Sequence, residues 1–147
     1  MRSRLLIPLA ALGAALFLAA SCTRGSGEGD VPIGVWRSRL DVNVERGAEG
    51  SAKVVLEAVP GWYVNRLYPG IGLTIEPAAP GEEALSLGVD DVVYEGEVDH
   101  DKAKRAVFAL PPDEGGPLEG TYRVVVCRDD ACSPPFTGDF SSPAGRE

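Results

Sequence analysis

An all-β domain, an antiparallel β-sandwich of immunoglobulin type, is the fold class this 147-residue sequence predicts. Three observations carry that expectation. Apolar and polar residues alternate with a period of two through several short runs. No stretch beyond residue 22 sustains an apolar period of 3.6, as an amphipathic helix would. Pro-Gly, Pro-Pro and Gly-Gly pairs divide the runs at short intervals.

The first strand pair is the clearest. In Leu40-Asp41-Val42-Asn43-Val44-Glu45 the apolar residues fall on one face and the polar ones on the other. Gly47-Ala48-Glu49-Gly50 reads as a turn, and Ala52, Val54, Leu56 and Ala58 resume the alternation, which predicts a β-hairpin with one buried face. Further strands are expected over residues 62–68, 72–76, 84–87, 91–94, 105–110, 121–127 and 136–141. Breaks at Pro60-Gly61, Pro69-Gly70, Pro80-Gly81, Pro111-Pro112 and Gly115-Gly116-Pro117 separate several of them. The tail over 142–147 is polar.

The first residues carry a different signal. Arg2 and Arg4 precede a 16-residue apolar run, residues 5–20, that holds no charge. A membrane-spanning helix needs about 20 apolar residues to cross roughly 30 Å of hydrocarbon, so the run suits the apolar region of a secretory signal. It ends in Ala19-Ala20-Ser21-Cys22, which resembles the bacterial lipobox, although Ala19 stands where Leu is usual and Leu18 is one place early. Residues 1–21 are therefore expected to be a lipoprotein signal peptide and Cys22 the lipidated residue, with the membrane as its partner through that lipid. An ordinary secretory signal cut nearby is the other reading, and export follows from both. Residues 22–31 are Gly-rich and polar and read as a flexible tether. Residues 32–141 then form the folded domain, long enough for one core.

Charge and cysteine content narrow the chemistry. The whole chain has a formal charge of −8, and removing residues 1–21, with two arginines and no acid, leaves −10. That balance argues against nucleic acid as a partner. Cys127 and Cys132 are the thiols that remain once Cys22 is acylated, and two thiols four residues apart in an oxidising compartment should pair. Arg128-Asp129-Asp130-Ala131 between them has the length of a four-residue hairpin loop, which makes the two cysteines directly opposed. Closing so short a loop stabilises a fold by only about 2 kcal/mol. If Tyr122, Val124 and Val126 face the core, Cys127 lies on the other face, toward solvent or beneath a loop. With His100 the sole histidine, the chain lacks the soft ligands of a copper or zinc site, so neither a metal nor another cofactor is expected. Trp36, Trp62, Phe108, Tyr122 and Phe136 read as packing residues. His100, between Asp99 and Asp101, reads as a solvated turn residue.

Two motifs in order point to a family. Gly61-Trp62-Tyr63-Val64-Asn65-Arg66, followed some sixty residues later by Cys127-x4-Cys132-x-Pro134-Pro135, resembles the amino-terminal periplasmic domain of the thiol:disulfide interchange protein DsbD. The resemblance spans roughly residues 33–141 and is concentrated in the cysteine hairpin. It implies an immunoglobulin-like sandwich in which Cys127 and Cys132 exchange their disulfide with a thioredoxin-fold periplasmic partner. It further implies a cap loop over the disulfide, matched to Val92, Val93, Tyr94 and Glu95 with Tyr94 as the shielding aromatic, and it sets Tyr63 beside the redox pair. The family continues into a membrane electron carrier and a thioredoxin-like domain, from which this sequence departs. The alternative is a lipid-anchored binding or scaffolding module whose disulfide only pins a hairpin. A hydrolase or metal enzyme finds no convincing constellation of residues.

Overall fold

The alternating runs fold into two antiparallel sheets packed face to face. The computed structural model describes residues 33–145; the expected signal peptide, the lipidation at Cys22 and the tether lie outside the described residues. A five-residue helix, α1 (Ile33–Arg37), leads into β1 (Leu40–Arg46), and a single 3-10 turn at Ala48–Gly50 returns the chain as β2 (Ala52–Ala58). There follow β3 (Tyr63–Asn65), β4 (Gly72–Ile75), β5 (Leu85–Leu87), β6 (Val92–Asp99) and β7 (Lys102–Leu110). The chain ends in β8 (Leu118–Val124), β9 (Val126–Arg128), β10 (Ala131–Cys132) and β11 (Phe136–Ser142). Helix α1 was not expected from the sequence, and at five residues it is too short to display a helical period. No helix among the described residues is long and apolar enough to cross a membrane.

One sheet runs β1-β2-β7-β3-β9-β10, with β6 also paired to β7; the other runs β11-β8-β4-β5. Strand β7 pairs with β2 through Arg105–Leu110 and with β3 through Lys102 and Ala103, so β3 prolongs β2 along one edge of β7. Strand β6 overlaps both stretches and must therefore take the opposite edge. Between β2 and β3 the chain bulges at Pro60-Gly61, where Gly61 has a φ of 83° and Trp62 N–H donates to the Val59 carbonyl at 2.9 Å. Beyond β3 the Asn65 side chain accepts the Leu67 N–H at 2.8 Å and turns the chain away. These two turns reduce the strand expected over 62–68 to three residues. Strand β6 and strand β7 are conversely longer than expected, because the polar stretch at 97–102 continues the ladder up to a two-residue turn at His100-Asp101.

The core lies between the sheets. Val54, Leu56, Ala106 and Phe108 from one meet Leu73, Ile75, Tyr122, Val124 and Phe136 from the other, all buried. Tyr122 and Phe136 meet edge to face, with ring centroids 6.4 Å apart. Gly138 opposes Tyr122 across β11 and β8, and a Cβ there would collide with the phenol ring, so the ring's place depends on the missing side chain.

The path of β8 decides where the cysteines go. Strands β8 and β11 form a hairpin seven pairs long, from Ser142↔Leu118 to Phe136↔Val124. Its tip, residues 125–135, leaves this sheet and bends across to the other, where β9 pairs with β3. Asn65 N–H donates to the Val125 carbonyl at 3.0 Å at the crossing point. Val124, Val125 and Val126 are consequently all buried, and the single strand expected over 121–127 is two strands in different sheets.

Candidate functional site: the disulfide at the hairpin tip

At the tip, Cys127 on β9 opposes Cys132 on β10, with Cα atoms 3.9 Å apart, and the two are joined as a disulfide. Tyr63 opposes Cys127 from the other side. Tyr63, Cys127 and Cys132 thus form one row across three strands. Because Val64 opposes Ala103, the row continues onto β7 at Lys104. The Lys104 ammonium lies 4.2 Å from the Tyr63 ring centroid, and that of Lys102 lies 6.0 Å from it.

The two sulfur-bearing residues differ in access. Cys127 is only 2% exposed, whereas Cys132 is exposed. The parity expectation is half right: Cys127 stands outside the interior cluster, yet it is covered, and Cys132 is the residue that meets solvent. Burial follows from the crossing, which seats β9 between β3 and β10 instead of at an edge. A thiolate approaching from solvent therefore meets Cys132, leaving Cys127 as the sulfur from which the bond would break.

Hydrogen bonds fix the base of this small loop. Val126 N–H donates to Ser133 Oγ at 3.1 Å, and Ser133 N–H donates to the Val126 carbonyl at 2.8 Å. Ser133, buried, satisfies β9 where Pro134 and Pro135 have no N–H to offer. Asp129 and Asp130 sit exposed on the turn, and Arg128 Nε lies 3.8 Å from Asp130.

Trp62 builds the flank of the site. Trp36 of α1 meets it edge to face with centroids 5.8 Å apart. The guanidinium carbons of Arg39 and Arg128 stand 5.4 Å and 5.7 Å from its ring centroid. Trp36 Nε1 and Arg39 Nε are buried there with no hydrogen-bond partner.

The residues matched to a cap loop are placed differently. Val92, Val93, Tyr94 and Glu95 are the first half of β6, in ladder register with Phe108, Val107, Ala106 and Arg105. Strands β7 and β3 separate β6 from β9, so Tyr94 and Cys127 stand three strand spacings apart, about 14 Å. The Tyr94 ring packs against the core, with the Arg66 guanidinium 5.5 Å from its centroid. Burial pushes the Tyr94 hydroxyl pKa upward, and the nearby Arg66 charge partly opposes that. Tyr94 is a packing residue on an edge strand, as the strand expected over 91–94 predicts, where the resemblance implied a loop.

At the β6–β7 turn, Asp99, His100 and Asp101 bring their ligand atoms within 4.8 Å of one another. His100 Nδ1 lies 3.1 Å from Asp99 Oδ1, and the backbone N–H of His100, then its ring, hold the Asp99 carboxyl below its usual range. This is a solvated turn. Sequence reasoning missed the cations around Tyr63 and Trp62. The alternation Lys102-x-Lys104 held that signal, but its strand was expected to begin only at residue 105. No protein-family model matches the chain, and comparison with curated proteins finds no match.

Proposed function

We propose that this is an exported, lipid-anchored domain that exchanges the Cys127–Cys132 disulfide with a thioredoxin-fold protein, on an immunoglobulin-like scaffold resembling the DsbD amino-terminal domain. The observation that carries the reading is the asymmetry of the bond: Cys132 is open to solvent while Cys127 is covered. A crosslink spanning five residues adds little to a fold already held by two sheets. Its position at an exposed tip is suited to exchange.

The chemistry balances without a cofactor. A partner thiolate attacks Cys132 Sγ, the sulfur–sulfur bond breaks, and the bonding pair leaves on Cys127 Sγ. The partner's second thiolate then attacks the partner sulfur of the mixed disulfide and frees Cys132. The domain gains two electrons, and the partner dithiol becomes a disulfide.

One observation favours the alternative, a purely structural clamp: Cys127 is buried and Ser133 ties the loop base closed. The reduction potential separates the two readings. An exchanging bond should lie above about −300 mV and a structural one below it. Cys127→Ser, which leaves the exposed Cys132 free, should trap a mixed disulfide with a thioredoxin-fold protein. A potential below that limit together with no trapped partner would leave the clamp. Anchoring is tested separately, since Cys22→Ser should release the protein from membranes.

A further inference from the structure

Positive charge is unevenly placed on this acidic protein. Among the described residues, Arg46, Lys53, Arg66, Arg105 and Arg128 each stand at ion-pair distance from a carboxylate. Arg37, Arg39, Lys102, Lys104 and Arg123 have no such ion pair, and three of these five, Arg39, Lys102 and Lys104, stand over the rings of Trp62 and Tyr63. Arg128, one residue from Cys127, shares Trp62 with Arg39. Lys102 and Lys104 are therefore held by the Tyr63 ring, which opposes Cys127, and are only partly neutralised. Asp130 lies near Arg128, and Asp99 pairs across the ladder with Lys102.

We propose that the face formed by Tyr63, Lys102 and Lys104, in the row that carries the disulfide, docks a thiol protein whose surface around its reactive cysteine is acidic. The inference rests on the exchange reading above and specifies the partner. Fixed cations in the row that carries the disulfide attract an approaching anion, and the thiolate itself is one. Cation–π contacts orient the ammonium and guanidinium groups while leaving their charge uncancelled. Aromatic and arginine side chains also supply the anchoring contacts that dominate docking surfaces. The sign of the patch selects an acidic partner and steers it to this site, because the chain as a whole, at −8, repels one elsewhere.

The test compares three small thiols of similar size: 2-mercaptoethanesulfonate, 2-mercaptoethanol and cysteamine. Each reduces the oxidised protein, and each rate is divided by the thiolate concentration present. At low ionic strength the anionic reagent should outpace the cationic one by about tenfold, and about 1 M salt, with a screening length of about 3 Å, should remove the difference. K102E/K104E should reverse the order, and K102Q/K104Q should flatten it, with circular dichroism confirming that both variants fold. Equal normalised rates, or cysteamine fastest, in the unaltered protein would overturn the acidic-partner proposal while leaving exchange intact. If none of the three thiols reduces the folded protein, the exchange reading falls and this proposal with it.

Discussion

Two hairpins in the same sheet are built on opposite plans. The β1–β2 hairpin is held by seven opposed residue pairs, with Val54 and Leu56 buried against the second sheet and Glu45 and Lys53 paired 2.9 Å apart outside. The β9–β10 hairpin has two opposed pairs, Cys127↔Cys132 and Arg128↔Ala131, and both β10 residues are exposed. A ladder of two pairs with no buried face on one strand cannot hold itself closed. In the first hairpin packing does the holding, and in the second a covalent bond substitutes for it. Losing the packing should therefore unfold the domain, whereas losing the bond should loosen one loop.

The largest break in that contrast is Phe108→Ala. Phe108 is fully buried and opposes Val54, so its loss should cost about 3–5 kcal/mol in denaturant unfolding. A cost near zero would mean that β7 does not organise the core.

A smaller effect is expected from Cys127→Ala/Cys132→Ala, about 2 kcal/mol or less. Amide exchange should speed up within residues 125–135 and stay slow in β1 and β2. Global acceleration would show that the bond is a structural staple after all.

The smallest concerns the buried phenols. Burial raises the pKa of Tyr94 and of Tyr122, so the folded state favours their protonated forms. Their contribution is complete below about pH 10, where the unfolded tyrosines ionise, and is lost as pH rises through the raised folded values. Tyr122→Phe and Tyr94→Phe should flatten the loss of stability above about pH 10. Tyr94→Ala should also leave the rate of glutathione reduction unchanged, since its ring lies under Arg66 and away from the cysteines. Faster reduction would restore the shielding role.

What could be read from the residues divides along the same line. The alternation from Leu40 to Ala58 gives the first hairpin, its turn and its inward face directly, because both strands lie in one sheet with one face buried. The Cys127–Cys132 pairing was legible as well, since loop length alone opposes the two residues. The exposure of each cysteine was not. It depends on the crossing at Val125, where a strand changes sheets, and the run Tyr122-Arg-Val-Val-Val-Cys127 reads as unbroken β-structure in either case. The role of β6 was obscured for a related reason. Val92-Val93-Tyr94-Glu95 has strand composition, yet matching its order to a known loop ignores which edge of β7 it occupies. Lateral position in a sheet is set by long-range pairing and leaves no local trace.

The bent tip of the β8–β11 hairpin makes residues 125–135 a cassette. Entry at Val124 and exit at Phe136 are adjacent partners in an otherwise regular ladder, so the two ends are already joined without the segment between them. Its contents are answerable to the opposite sheet, through Tyr63 and Asn65, and not to the strands that carry it. Interchange of this segment between sandwiches is thus limited by the surface it lands on, and a transplanted tip must bring the Trp62-Tyr63 platform with it to keep its chemistry.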